Sequence, residues 1–186
     1  MRIEVSLDGV MQQFGEMIAK AGDRAPELMA TALNAGGSTL RVRTIEAQTK
    51  QTGLAKRTIT RAQREFRASA ASLVFEIEAE GGDVRLKFFR ARETKAGVSA
   101  APWNARKVFP ETFIKGGRFP GRVGLSMGGH VFQRTGKGRL PLVGGRSGLF
   151  IPTELVSGQT AATFQAGQPE VMDVVTRSVG AAFGAG

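Results

Sequence analysis

With 186 residues and an ordinary 41% hydrophobic content, the chain is long enough for one domain with a buried core. It has no cysteine, which excludes disulfides, thiol nucleophiles and cysteine-ligated metals together. The formal charge is +10, but residues 36–150 hold 22 Lys and Arg against eight acids, a net +14, while the two ends together hold −4. Such segregation points to a surface that meets something anionic, whether nucleic acid, an acidic protein face or a membrane, with plain solubility as the bland alternative. No apolar run approaches the roughly 20 residues of a membrane span, and MRIEVSLDGV lacks a signal-peptide pattern. A soluble chain made in a cytoplasm is expected.

Ile3, Val5 and Leu7 alternate as in a short strand that turns at Asp8 and Gly9. Val10, Phe14, Met17, Ile18 and Ala21 then recur at spacings of three and four, predicting an amphipathic helix over residues 9–21, broken at Gly22 and Asp23. Pro26 suits the first turn of a second helix, with Asp23 or Arg24 near the cap, and Leu28, Ala32, Leu33, Leu40 and Ile45 carry it to about Gln48. Gly36 and Gly37 inside it each cost about 1 kcal/mol relative to Ala. They mark either close approach by another element or a kink.

Leu54, Thr58, Ala62 and Phe66 lie on an i+4 row and predict a short, strongly basic helix with Lys56, Arg57, Arg61 and Arg64 mostly elsewhere. Leu73, Phe75 and Ile77, then Val84, Leu86 and Phe88, alternate on either side of EGGD and predict a β-hairpin. In that register Glu76 and Glu78 would face Arg85 and Lys87. Arg90 to Pro110 has no period and reads as an irregular arm with Trp103 as its large anchor, of a length that compact domains keep only for function or a partner. Thr112–Lys115 gives another short strand, GGRFPGRVGLSMGG a glycine-rich basic connection, and HVFQRT, RLPLV and GLFIP the remaining strands. Pro141 and Pro152 place the last two at sheet edges. Pro169 opens a closing helix with Val171, Met172, Val174, Val175 and Val179.

Within VFQRTGKGRLPL the apolar ends read as strands, and the centre presents Arg134, Lys137 and Arg139 to water between Gly136 and Gly138. TGKG fails the nucleotide-loop pattern because Gly138 follows Lys137 where Ser or Thr is required. GGRFPGR, with Arg118 and Arg122, and GGRSG could touch anions through backbone N–H groups and arginines, the bland alternative being hairpin turns with solvated charges. Phe88 and Phe89, flanked by Lys87 and Arg90, are the candidates for base stacking, and one of them must face inward. Catalysis requires placed acids, bases and nucleophiles. His130 is the lone histidine, without an acidic or histidine partner in its motif, and reads as a surface or packing residue rather than a metal ligand. We therefore expect no enzyme, no metal and no cofactor; a metal-dependent nuclease needs clustered carboxylates that the basic region lacks.

The order of elements carries a resemblance. A long helix containing ATALN, a basic TGLAKRTI helix, a hairpin, KAGVSAAPWN, ETFI, HVFQRTGKGRLPL and a proline-ended strand together resemble the minor tail protein Z family of tailed phages and prophages. The succession GVSA…FI…VFxRxGKxRLP carries it, over roughly residues 25–180. The resemblance implies a single α+β domain over 1–186, an antiparallel sheet packed with a long N-terminal helix and a C-terminal helix, with a long arm or loop at about 90–111. It further implies a virion protein, a tail completion subunit that forms a ring, hexameric by expectation, at the head–tail neck. Its neighbours would be tail terminator and head–tail connector proteins and the packaged DNA end, with no membrane and no catalytic residues. On this reading Arg134, Lys137, Arg139, Arg118 and Arg122 make the assembly or DNA contact, and Trp103, Arg106 and Lys107 belong to an inter-subunit arm. The alternative is a free nucleic-acid-binding protein that grips phosphates non-specifically.

Overall fold

A computed structural model describes residues 1–7, 15 and 24–183. The helix expected over 9–21, with Val10, Phe14, Met17, Ile18 and Ala21, and its flanking breaks lie outside these residues, apart from Gly15. The long helix is α1 (Arg24–Thr52), with Pro26 and Glu27 in its first turn and Lys50 in its last, charges that complement the helix dipole. Met29, Leu33, Leu40 and Ile45 are buried together with Ala32, Gly36, Gly37 and Ala47, so α1 is covered on more than one face. The C-terminal helix α4 (Gly158–Phe183) covers one of them. A β-carbon on Gly36 would sit 2.9 Å from Val171 Cγ1, and one on Gly167 would collide with Leu40 Cδ1. The glycines let the two backbones close on each other, and α1 runs unbroken through Gly36 and Gly37. Close approach, not a kink, is their use.

The opposite cover is an antiparallel sheet in the order β1 (Arg2–Ser6), β3 (Val74–Ala79), β2 (Gln63–Phe66). From β3, the fully buried Phe75 lays its ring where a β-carbon of Gly37 would be, 2.5 Å away. Helix and sheet share one core, joined by Leu86, Phe89, Val98, Leu149, Leu155 and Val175. The chain is therefore an α+β protein in which both long helices pack with antiparallel sheet.

Several local expectations change. The basic helix stops early: α2 is only Lys56–Ala62, and Phe66 lies exposed on β2 rather than on a helical row. Gln63 ends the helix because its side chain is drawn inward, donating to Gln48 Oε1 at 2.8 Å while Gln48 donates to the Ile151 carbonyl at 2.8 Å. The hairpin across EGGD does not form. Both edges of β3 are occupied by β1 and β2, so β4 (Asp83–Arg85) pairs instead with β13 (Arg146–Phe150), and Leu86–Phe88 make a 3₁₀ turn. Glu76 and Glu78 face Arg2 of β1, 3.1 and 4.0 Å away, not Arg85 and Lys87. The GLFIP strand does lie at an edge, since β13 pairs only with β4, but Pro152 sits just beyond it in the first turn of the short helix α3 (Ile151–Leu155). Pro169 lies inside α4, which is held past the missing N–H by the burial of Phe164 on one side and Val171, Val175 and Val179 on the other.

The irregular arm is in fact a sheet. β5 (Arg92–Thr94), β6 (Gly97–Ala100) and β7 (Lys107–Pro110) form an antiparallel meander with Val98 and Ala100 buried. The turn between β6 and β7 folds back on its own chain. Trp103 and Asn104 both take left-handed backbone conformations (φ 51° and 59°), which puts the Trp103 indole N–H 2.9 Å from Glu154 Oε1 and lets Asn104 Nδ2 donate to the Lys50 carbonyl at 2.7 Å. That carbonyl is in the last turn of α1, so Asn104 acts as a cap from a distant loop. Asn104→Ala is expected to cost about 1–2 kcal/mol, losing the bond and adding left-handed strain. Asn104→Gly, which keeps the backbone relaxed, should cost less; urea melts of the two variants check the order.

Candidate assembly surface

Residues 112–144 build a layer of short strands on the meander. β8 (Thr112–Phe113), β11 (Phe132–Arg134) and β12 (Leu142–Gly144) form one antiparallel sheet in the order β12-β11-β8, and β9 (Lys115–Gly116) pairs with β10 (Val123–Gly124). The strand, basic loop and returning strand expected from VFQRTGKGRLPL are there: Arg134 lies opposite Leu142 and Phe132 opposite Gly144.

Glu93 of β5 fastens this layer to the body. Its carboxylate accepts from the backbone N–H groups of Ile114 at 2.7 Å and Lys115 at 3.1 Å and pairs with the Arg122 guanidinium. The side chains are only 10% and 20% exposed, so the pair is largely desolvated. Arg134 is likewise engaged. Its guanidinium stacks 5.3 Å from the centre of the Phe113 ring and donates to the carbonyls of Gly138 at 3.1 Å and Arg139 at 2.8 Å, closing the basic loop on itself.

The structure brings Arg122 and Arg134 together with Lys95 and Lys115 around a cleft of about 290 Å³. Glu111 is the acid on its lining. Arg118, Lys137 and Arg139 do not line it; they stand exposed in the loops. The arm residues go elsewhere: Trp103 is tied to Glu154, Arg106 to the Ser99 and Arg90 carbonyls, and Lys107 lies over its neighbour Phe109 at 5.1 Å.

Apolar exposure is what the sequence reading missed. Between residues 112 and 144 only Thr112 and Val131 are buried, yet Phe119, Val123, Leu125, Met127, Leu140 and Val143 are open to solvent. Val123 and Leu140 are 71% and 72% exposed, more than any other large apolar side chain in the described residues. The reason lies in the strands as they form: β10 and β12 are two and three residues long, too short to bury a face of their own. Exposed apolar side chains beside unpaired cations are the composition of a surface that meets another macromolecule.

Among the described residues, no cluster of three or more His, Asp or Glu side chains could hold a metal, and no helix is long and apolar enough to cross a membrane. No protein-family model, curated protein or solved structure matches the chain.

Proposed function

We propose that the chain is a structural virion protein, a tail completion subunit that closes into a homo-oligomeric ring, a hexamer by expectation, where a phage-type head joins its tail. The observation that carries this reading is the 112–144 layer, which has two buried residues and six open apolar side chains and is fastened to the body at few points, chiefly through Glu93, Thr112 and Val131. A subunit that gains its missing cover from neighbours has this construction. In the ring, Leu140, Val143 and Val123 meet the next copy, and Lys137, Arg139 and Arg118 face the acidic surfaces of tail terminator and connector proteins or the packaged DNA end. The role is assembly rather than catalysis.

Sedimentation of the full chain, alone and mixed with phage tails, tests the reading. Wild type is expected to form closed rings. Leu140→Ser with Val143→Ser should leave it monomeric while its circular dichroism remains that of the folded chain, because substitutions at the surface of the free subunit move its stability by only about 0.5 kcal/mol. A wild-type protein that remains monomeric in the presence of tails sinks the proposal.

The second reading, a free nucleic-acid-binding protein, draws on the exposed, unpaired Lys137 and Arg139. It demands DNA affinity that falls with salt, with a slope of about 0.9 per phosphate neutralised on duplex DNA.

A further inference from the structure

Gly145 brings three segments of the chain together. A β-carbon there would lie 2.9 Å from Val131 Cγ1 and 3.1 Å from Leu86 Cδ1, and its backbone bonds both the Leu86 N–H and the Val131 carbonyl. The residues flanking these contacts therefore converge: Arg85 and Lys87 around Leu86, His130 before Val131, and Arg146 after Gly145. Arg85 and Arg146 are register partners in the β4–β13 ladder, so two guanidinium side chains leave the same face of the sheet side by side.

His130 completes the group in an unusual way. Its Nδ1 is 2.9 Å from Arg85 Nη1 and its Nε2 is 2.7 Å from Lys87 Nζ. A neutral imidazole has one acceptor nitrogen and one N–H, and Arg and Lys can only donate. One of the two contacts must therefore set donor against donor in either tautomer, and protonating the ring makes both contacts unfavourable. The carboxylates nearby are already committed. Asp83 Oδ1 accepts from the Ser147 and Gly148 N–H groups at 3.1 and 2.9 Å, and Glu80 faces Arg64 at 3.6 Å. Arg146 reaches only the main-chain carbonyl of Asp83, at 2.7 Å.

Four nitrogenous groups thus gather with one acceptor too few and, among the described residues, no carboxylate paired with any of them. We propose that Arg85, Lys87, His130 and Arg146 form a binding site for a phosphate-class oxyanion, taken either as the free ion or as the backbone of a nucleic-acid strand. Such an anion accepts from both guanidiniums and from Lys87, supplies the missing acceptor, and removes the repulsion across the ladder. The site opens beside a cleft of about 390 Å³ lined by Arg61, Arg85, Arg146 and Phe88 and, against these three cations, by the carboxylates Glu80 and Asp83. Phe88 is exposed there with the Lys87 ammonium 5.2 Å from its ring centre, while Phe89 turns into the core, which leaves one aromatic face where a base could stack. The site shares no residue with the 112–144 apolar surface on which ring assembly was proposed, apart from His130 at the foot of β11, so it stands or falls separately.

The chain's single histidine reports the site directly. Burial first, then Lys87 and Arg85, hold the His130 imidazole below its ordinary pKa of 6.5. The unfolded chain therefore takes up this proton before the folded one does, and stability present above about pH 6.5 is lost as pH falls below it. A bound anion opposes Lys87 and Arg85 and raises the imidazole pKa.

In proton NMR of the full chain, inorganic phosphate is expected to shift the His130 ring resonance saturably and to move its titration midpoint upward. Arg85→Gln with Arg146→Gln should abolish the response, and Lys137→Gln with Arg139→Gln should leave it intact. An oligothymidylate that gives the same shift at lower concentration, with a salt slope shallower by about 0.7 for each phosphate that the double Arg variant no longer neutralises, identifies a nucleic-acid backbone as the source. A response to inorganic phosphate alone identifies the free ion. If neither probe moves the resonance of the wild-type protein, or if poly-glutamate moves it and phosphate does not, the proposal is overturned. The wild-type titration decides this even if the double Arg variant fails to fold.

Discussion

Gly37→Ala is expected to destabilise the protein by about 1–3 kcal/mol, the cost of overpacking a filled core. The reason is geometric. The new methyl would stand 2.5 Å from Cγ and Cδ1 of Phe75 and 2.8 Å from Cδ2, so it meets the ring itself and not the end of a flexible side chain. Phe75 has no exposed surface toward which to retreat. The clash exceeds the gain of up to about 1 kcal/mol that alanine brings to a helix interior. The same substitution at Gly180 in α4, where a β-carbon would have no neighbour within 4 Å, should be neutral or stabilising by a few tenths of a kcal/mol up to about 1. Each kcal/mol moves the melting temperature of a domain this size by about 2–4 °C, so calorimetry separates the two variants. Phe75→Leu added to Gly37→Ala should recover part of the loss as a coupling term. Equal stability of Gly37→Ala and wild type would contradict the packing described for α1 and β3.

Glu93→Ala is the second large effect, and it is local. Removing the carboxylate leaves the Arg122 guanidinium mostly buried without its counter-charge, and leaves the Ile114 and Lys115 N–H groups without their acceptor. Breaking one half of a buried pair typically costs about 3–5 kcal/mol. Because residues 112–144 have so little core, the loss should appear as opening of that layer rather than as global unfolding. Hydrogen exchange should show amide protection over residues 114–124 falling by about two to three orders of magnitude, with protection in α1 and α4 nearly unchanged. Ring assembly, if the proposed function holds, should fail with it. Unchanged protection across 114–124 would mean that Glu93 does not hold the layer in place.

Readings that depend on neighbours in the chain transferred well to the structure. β1, the Pro26 start of α1, the two glycines in its interior, the strands around the basic loop and the apolar face of the C-terminal helix are all patterns within a few turns or a few residues. Readings that depend on which distant edge is free did not. The EGGD hairpin has correct turn chemistry and correct alternation, yet β1 and β2 take both edges of β3 and send β4 to β13, some 60 residues away. Arg90–Pro110 carried no period because its strands are three or four residues long and one of its turns is held by contacts with α1 and α3.

The candidate residues divide in the same way. Arg134 and Arg122 were legible as basic loop positions, but the stacking of Arg134 on Phe113 and the burial of Arg122 against Glu93 depend on residues 21 and 29 positions away, which only folding brings within reach. Arg85, His130 and Arg146 are separated by 45 and 16 residues and form a group because Gly145 permits three segments of the chain to touch. Composition and periodicity were enough to mark the long helix, several of the strands and a basic middle, because burial of a helix or strand face is written in local spacing. Strand partners, the fastening of the 112–144 layer and the crowding of cations around His130 were settled by tertiary structure alone, because each is a competition between groups far apart in the chain for the same edge, acceptor or counter-charge.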